Sequence, residues 1–64
     1  MTIELTNGNK ITGNAFTLNY MSMALNEAAE SYKRKGLPHI ARDCEHDSDI
    51  IYRVLKEKGL YDTK

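Results

Sequence analysis

The stretch FTLNYMSMALNEAAESYKRK, residues 16–35, decides the fold of this 64-residue chain. Its apolar side chains recur at alternating steps of three and four, which is the spacing of an α-helix with one buried face. We expect the buried stripe to consist of Leu18, Met21, Leu25, Ala28 and Tyr32, with Ala24 and Ala29 alongside. The opposite, solvent-facing side carries Asn19, Ser22, Asn26, Glu30 and Lys33. The pattern predicts a helix over residues 15–35, with Asn14, Thr17 or Asn19 as its N-cap.

The end of this helix is marked by charge, glycine and proline. Lys33, Arg34 and Lys35 place positive charge in the last turn, where it complements the helix dipole. Gly36 suits the left-handed conformation of a helix cap, and Pro38 prevents the helix from continuing. The tripeptide Lys-Gly-Leu of residues 35–37 occurs again at Lys58-Gly59-Leu60, which predicts a second helix end there.

Residues 2–13 predict a β-hairpin, with Asn7-Gly8 as the turn signal. A two-residue loop would place apolar side chains on both faces of the ribbon. A three-residue loop with a left-handed Gly8 gives one apolar face, so we predict that register. Its pairs are Thr2 with Thr12, Ile3 with Ile11 and Glu4 with Lys10. A two-stranded ribbon is not stable alone, so it packs on a helix or joins a sheet across a dimer.

The hairpin residues follow the pattern Ile3-x-Leu5-x-x-Gly8-x-x-Ile11-x-Gly13, with Asn19-Tyr20-Met21 downstream. This segment resembles the first motif of the Sm-like RNA-binding proteins. The Asp-x-x-Met-Asn element of that motif is absent, and no counterpart of the second Sm-like motif follows residue 30. We interpret the resemblance as a shared type of hairpin.

A second helix is predicted over residues 38–58. Its apolar stripe has the same spacing and comprises Leu37, Ala41, Cys44, Ile51 and Leu55, with Ser48 filling one position. Pro38 suits the first helical turn, where its missing N–H needs no intrahelical partner. His46-Asp47-Ser48-Asp49 contains poor helix formers, so a kink or a break near residues 46–49 is the alternative to one continuous helix.

The predicted fold class is α+β, mostly α: an N-terminal β-hairpin followed by an antiparallel two-helix hairpin, in a single domain over residues 1–64. The short connection at Gly36-Leu37 favours antiparallel neighbours. Two apolar groups lie off the main stripes, and we expect them to form an interface: Phe16, Tyr20 and Met23 on the first helix, and Ile50 and Val54 on the second. The first group is also the expected seat of the hairpin.

Composition narrows the class of partner. Nine basic and nine acidic residues cancel, so no overall field favours nucleic acid or an anionic membrane. One cysteine, Cys44, excludes an intrachain disulfide and is typical of a reducing compartment. No apolar run has the length of a membrane span or a signal peptide. We expect a cytoplasmic protein without a membrane partner, whose thin core favours a homodimer or another protein as partner.

The residues with the most versatile chemistry lie between positions 39 and 47. Along a helix, His39 and His46 would be about 10.5 Å apart, too far for one metal ion to bridge. The carboxylates around Cys44 oppose the formation of a reactive thiolate. We therefore expect no catalytic residue, no metal site, no cofactor and no enzymatic activity.

The sequence itself specifies no biochemical activity. The leading hypothesis is a non-catalytic protein-interaction or regulatory (accessory) module that occupies the surface of a partner protein, of a size typical of bacterial and phage accessory genes. The alternative is a small nucleic-acid-binding protein that uses the basic helix end Lys33-Arg34-Lys35, together with Lys10.

Overall fold

A computed structural model describes residues 1–6 and 8–59 of the chain. The element order is β1 (Thr2–Glu4), β2 (Lys10–Thr12), α1 (Ala15–Arg34) and α2 (Pro38–Glu57). The two strands form an antiparallel hairpin, and the two helices pack against each other, which confirms the predicted fold class. The predicted roles of Asn7 in the turn and of Leu60 at the end of the second helix lie outside the described residues.

The hairpin has the predicted register. Ile3 lies opposite Ile11, with Thr2 opposite Thr12 and Glu4 opposite Lys10. Gly8 has φ +77° and its N–H donates to the carbonyl oxygen of Leu5, so the turn uses the left-handed conformation that glycine adopts without strain. The ladder continues by one bond, since the Gly13 N–H donates to the Met1 carbonyl oxygen at 3.0 Å.

Helix α1 is capped at both ends by local sequence. At the start, the Asn14 side chain accepts a hydrogen bond from the Thr17 N–H at 2.7 Å, which selects Asn14 from the three predicted N-caps. At the end, Gly36 has φ +79° and the Leu37 N–H donates to the Tyr32 carbonyl oxygen at 2.9 Å. This pair of features is a Schellman motif, as the Gly36-Leu37 sequence predicts.

Helix α2 is continuous through residues 46–49, where the sequence left a kink or a break as the alternative. Pro38 occupies its first turn, and Asp47, Ser48 and Asp49 are all helical. Four of its residues are buried: Ala41, Ser48, Ile51 and Leu55. Leu37, which we placed on the same stripe, is 43% exposed because it lies in the connection before the helix.

The face that α1 turns toward α2 is rotated from the predicted one. Ser22, which we assigned to the solvent side, is only 4% exposed, whereas Ala24, which we placed beside the buried stripe, is exposed. The Ser22 and Ser48 hydroxyl oxygens are 3.0 Å apart across the helix interface, and the Ser48 hydroxyl also donates to the Ser22 carbonyl oxygen at 2.9 Å. These bonds compensate the burial of both hydroxyl groups, and a small side chain lets the helices approach closely.

The same antiparallel register continues one heptad away. Ala29 lies seven residues after Ser22, and Ala41 lies seven residues before Ser48, so the register places these two alanines opposite each other. Both are 1% exposed. The helix interface is therefore a seam of small residues, Ser22, Ala29, Ala41 and Ser48, that ends in a core of larger side chains.

That core lies beneath the hairpin. Ile3 from β1, Leu18 from α1, and Ile51 and Leu55 from α2 form one buried cluster. The predicted seat of the hairpin on Phe16, Tyr20 and Met23 is wrong. The hairpin instead lies where the two helices meet, because only there can Ile3 contact apolar side chains of both helices.

A polar contact fixes the turn of the hairpin to α2. The Thr6 hydroxyl and the Thr6 N–H both donate to Asp47 Oδ1, at 2.6 Å and 3.2 Å. Asp47, Ile50 and Val54 follow each other at steps of three and four on one face of α2. Ile50 and Val54 are half-buried and pack against the core cluster. Their part in an interface with another chain stays a prediction.

Candidate interaction surface

The outer face of α1 carries three large side chains that the fold leaves exposed. Phe16 is 80% exposed, Tyr20 is 67% exposed and Met23 is 53% exposed. They follow each other at steps of four and three, so they form one continuous stripe along the helix. At about 100° per residue, the centre of this stripe lies roughly 140° from the buried seam of Ser22 and Ala29. We call these three residues the outer stripe.

The outer stripe lies within a run of uncharged residues. No charged residue occurs between Lys10 and Glu27, although 28% of the chain is charged. Ala24 and Glu27 lie on the same face of α1 and are also exposed. Depletion of charge together with aromatic and methionine side chains is the composition of a protein interface core. The sequence pattern identified the outer stripe but not Ala24 and Glu27 as its exposed neighbours. The uncharged run of residues that ends at Glu27 could have indicated that they belong to this surface.

The four candidate nucleic-acid contacts do not form one patch. Lys33, Arg34 and Lys35 lie at the C-terminal end of α1, whereas the hairpin that carries Lys10 packs near Leu18. At 1.5 Å per residue, Leu18 and Lys35 are separated by about 25 Å along the helix. Lys10 is therefore too far from the basic helix end to share one patch with it.

Part of the positive charge at this end is paired with α2. The Lys33 ammonium group lies 2.6 Å from a Glu45 carboxylate oxygen, and this hydrogen bond raises the pKa of Lys33 above its ordinary value. Lys35 Nζ lies 6.0 Å from the centre of the Tyr32 ring. Both side chains thus make contacts within the chain, which is the structural role expected of cations at a helix end.

A shallow cleft of about 330 Å³ lies beside the serine pair. Its lining is polar and consists of Ser22, Asn26, Glu45, Ser48, Asp49 and Tyr52. The two carboxylates of this cleft are already paired: Glu45 with Lys33, and Asp49 with Arg53 at 2.8 Å. Their negative charge is therefore largely compensated by cations of the same chain, and the cleft offers little electrostatic selectivity for a ligand.

The histidines and the cysteine of α2 do not converge. Within residues 1–6 and 8–59, no three side chains from His, Cys, Asp and Glu are placed to hold one metal ion. His39 and His46 lie on one continuous helix, so the predicted separation of seven residues along its axis applies. Cys44 is a half-buried free thiol on the inner side of that helix.

The environment of Cys44 suppresses its thiolate. Burial raises the pKa of Cys44 above its ordinary value of 9.0, and the carboxylates of Asp47, Asp43 and Glu45 act in the same direction. A raised pKa means that the folded chain holds the thiol proton more tightly than the unfolded chain does. The associated stability is present below the ordinary thiol pKa and is lost as the pH rises through the raised value.

We accordingly predict that Cys44 reacts slowly with iodoacetamide near pH 8, because the alkylation rate follows the thiolate fraction and the exposure of the sulfur. The same chain unfolded in urea should react faster, and this difference should narrow as the pH rises. Alkylation can be followed by mass spectrometry over a pH series. A native chain that reacts as fast as the unfolded one at pH 8 would contradict the shielding of this thiol.

Comparisons with protein-family models, with curated proteins and with solved structures returned no match. The resemblance to the Sm-like proteins therefore rests on the hairpin pattern alone. Among the described residues, neither helix combines the length and the hydropathy needed to cross a bilayer.

Proposed function

We propose that this chain is a non-catalytic protein-interaction module that binds a partner protein through the outer face of α1. One observation carries the proposal: Phe16, Tyr20 and Met23 form an exposed stripe on the side of α1 that faces away from the rest of the fold. The core is assembled from other residues, so packing within the chain does not explain why these three side chains are large and apolar.

The size and chemistry of this face support a protein as the partner. Three large side chains at these exposures offer on the order of 400 Å² of surface, taking about 200 Å² for each full side chain. A patch of this size is comparable to the largest found on typical monomeric proteins, where such patches are often functional. Because the three side chains of the outer stripe carry no charge, their recognition depends on shape and apolar contact.

The proposed mode of action is regulatory: the module acts by occupying part of its partner's surface, in a reducing cytoplasm where Cys44 stays free. A module of this kind needs no catalytic residue and no cofactor. The polar cleft, with its paired carboxylates, and the shielded Cys44 thiol have no place in this mechanism.

We predict that placing two carboxylates on the outer stripe abolishes partner binding and preserves the fold. The variant is Phe16→Glu combined with Tyr20→Glu, and the matched control is Ile40→Glu, which charges an exposed apolar residue on α2 that is 42% exposed. Each substitution should change the free energy of unfolding by about 0.5 kcal/mol or less, since none of the three side chains is part of the core.

Binding is measured by affinity capture from an extract of the source organism with quantitative mass spectrometry. Proteins captured by the wild type and by Ile40→Glu should be lost with the double variant. If the same proteins remain bound to the double variant, the outer stripe is not the contact surface. Capture that disappears after nuclease treatment would favour the nucleic-acid alternative at Lys33, Arg34 and Lys35 instead.

A further inference from the structure

We propose that a second copy of this chain occupies the outer face of α1, packed antiparallel about a two-fold axis at Tyr20. The inference rests on the proposed function, because it takes the outer face of α1 as the contact surface and names its occupant. Three observations carry it: the arrangement of side chains on this face, the position of its charges, and its area.

The face is complementary to itself in shape. Helical residues at positions i, i+3, i+4 and i+7 surround a hole that accepts one side chain from a facing helix. Tyr20, Met23, Ala24 and Glu27 have this spacing and are all exposed. An antiparallel partner with the axis at Tyr20 brings Phe16 of each copy over this hole, opposite Ala24 of the other. Ala24 is the small member that leaves room for the ring, and the Met23 sulfur provides a favourable aromatic contact.

The charges select this register. With the axis at Tyr20, Glu27 of one copy lies beside the start of α1 in the other, near Gly13. The first turn of α1 contains no acidic residue, so no carboxylate of that turn offsets the N-terminal partial positive charge that remains beside the Asn14 cap. A carboxylate supplied by the second copy is favourable at that position, and symmetry provides this contact twice.

A different antiparallel register is less favourable. An axis shifted toward the middle of the helix, near Leu25, would place Phe16 against Arg34 and Tyr20 against Glu30, so that apolar side chains face charged ones. The uncharged segment of α1 runs from Ala15 to Asn26, and its centre lies between Tyr20 and Met21, so an axis at Tyr20 pairs this segment with itself.

The surface area that the two copies would bury is at the low end of the range for specific interfaces. The outer stripe contributes on the order of 800 Å² from the two copies together. With the neighbouring Thr17, Ala24 and Glu27 side chains, the total reaches about 1,000 Å², the lower limit for a specific association. The dimer should therefore be weak and depend on protein concentration.

Disulfide cross-linking tests the axis directly. In a Cys44→Ser background, Tyr20→Cys places one thiol of each copy at the axis. Helices packed about 8–10 Å apart, with Cα atoms at a radius of about 2.3 Å, leave these Cα atoms about 3.4–5.4 Å apart, which overlaps the range of about 4.4–6.8 Å that a disulfide spans. The matched control is Arg34→Cys, on the same face of the same helix. In this register its two copies are about 42 Å apart.

The expected result is that Tyr20→Cys becomes a covalent dimer in a glutathione redox buffer, whereas Arg34→Cys forms no intermolecular disulfide. Sedimentation equilibrium of the wild type should show a dimer that dissociates on dilution, and Tyr20→Glu should remain monomeric. Circular dichroism verifies that each variant is folded. Equal cross-linking at both positions would overturn the register, and a wild type that sediments as a monomer at every concentration would overturn the dimer.

The two proposals fail in different ways. If the wild type is monomeric but the double carboxylate variant still loses its captured proteins, the second-copy inference is wrong and the proposed function stands. If Tyr20→Cys cross-links as expected but the double variant retains those proteins, the outer face serves only self-association and the proposed function is wrong.

Discussion

Replacing Leu18 with alanine is expected to leave the chain largely unfolded at room temperature. Leu18 is 0% exposed and belongs to the cluster that joins the hairpin to both helices. A buried Leu→Ala substitution costs about 2–5 kcal/mol. A single core in a chain of this length, without disulfides or metal, supplies only roughly 3–5 kcal/mol. The loss is therefore as large as the total free energy of unfolding.

Urea denaturation followed by circular dichroism measures this effect. The matched control is Met23→Ala on the same helix, which truncates an exposed side chain and should change the free energy of unfolding by about 0.5 kcal/mol or less. The two variants remove similar side chains and differ in burial. A Leu18→Ala chain that unfolds cooperatively at the wild-type urea concentration would show that the cluster under the hairpin does not hold the fold together.

The second large effect is expected for Ser22→Leu. The amphipathic pattern of α1 assigns Ser22 to solvent, where leucine would be tolerated and would even favour the helix slightly. In the structure, Ser22 faces Ser48 in the seam of small residues, where a leucine side chain crowds the close approach of the two helices. Overpacking costs about 1–3 kcal/mol, and each hydrogen bond lost across the interface adds about 1 kcal/mol.

Two comparisons separate the causes of this effect. Asn26→Leu introduces the same side chain one turn further along α1 at an exposed position, and its free energy of unfolding should stay within about 0.5 kcal/mol of the wild type. Ser22→Ala removes the hydroxyl without adding bulk. It should cost about 1 kcal/mol at most, because the Ser48 hydroxyl retains its bond to the Ser22 carbonyl oxygen. Equal stabilities of Ser22→Leu and Asn26→Leu would contradict the position of Ser22 in the seam.

Features fixed by neighbouring residues could be predicted from the sequence. The register of the hairpin follows from Gly8 and from the requirement that Ile3 and Ile11 share a face. The end of α1 follows from Gly36 and Leu37, because the Schellman motif involves only the last turn and the two residues after it. In each case the determining contacts lie within about ten residues of one another.

The rotation of α1 could not be predicted in the same way. Hydropathy places Met21 and Ala28 on the buried face and Ser22 on the polar one. In the structure, Ser22 and Ala29 are the residues buried against α2, because close helix packing requires small side chains. The polarity of Ser22 is tolerated only because Ser48 supplies a hydrogen-bond partner across the interface. That partner is 26 residues away in sequence, beyond the reach of any periodicity.

The exposure of the candidate surface also depends on contacts between residues that are far apart in the sequence. The sequence identified Phe16, Tyr20 and Met23 as an apolar group off the main stripe, which is where the structure has them. Whether the hairpin covers this group depends on where the hairpin lies. That position involves contacts between distant parts of the chain: Ile3 packs in the cluster with Ile51, and Thr6 bonds to Asp47, 41 residues away.

The length of the strands has a consequence for how this protein avoids aggregation. Each strand of the ribbon spans three residues and has the other as its partner, so both are edge strands. Unpaired strand edges attract other chains in proportion to their length and flatness, and short edges with charged side chains such as Glu4 and Lys10 are poor templates for added strands. Association through strand addition is therefore disfavoured, and the helical outer face is the part of the described surface best suited to orderly assembly.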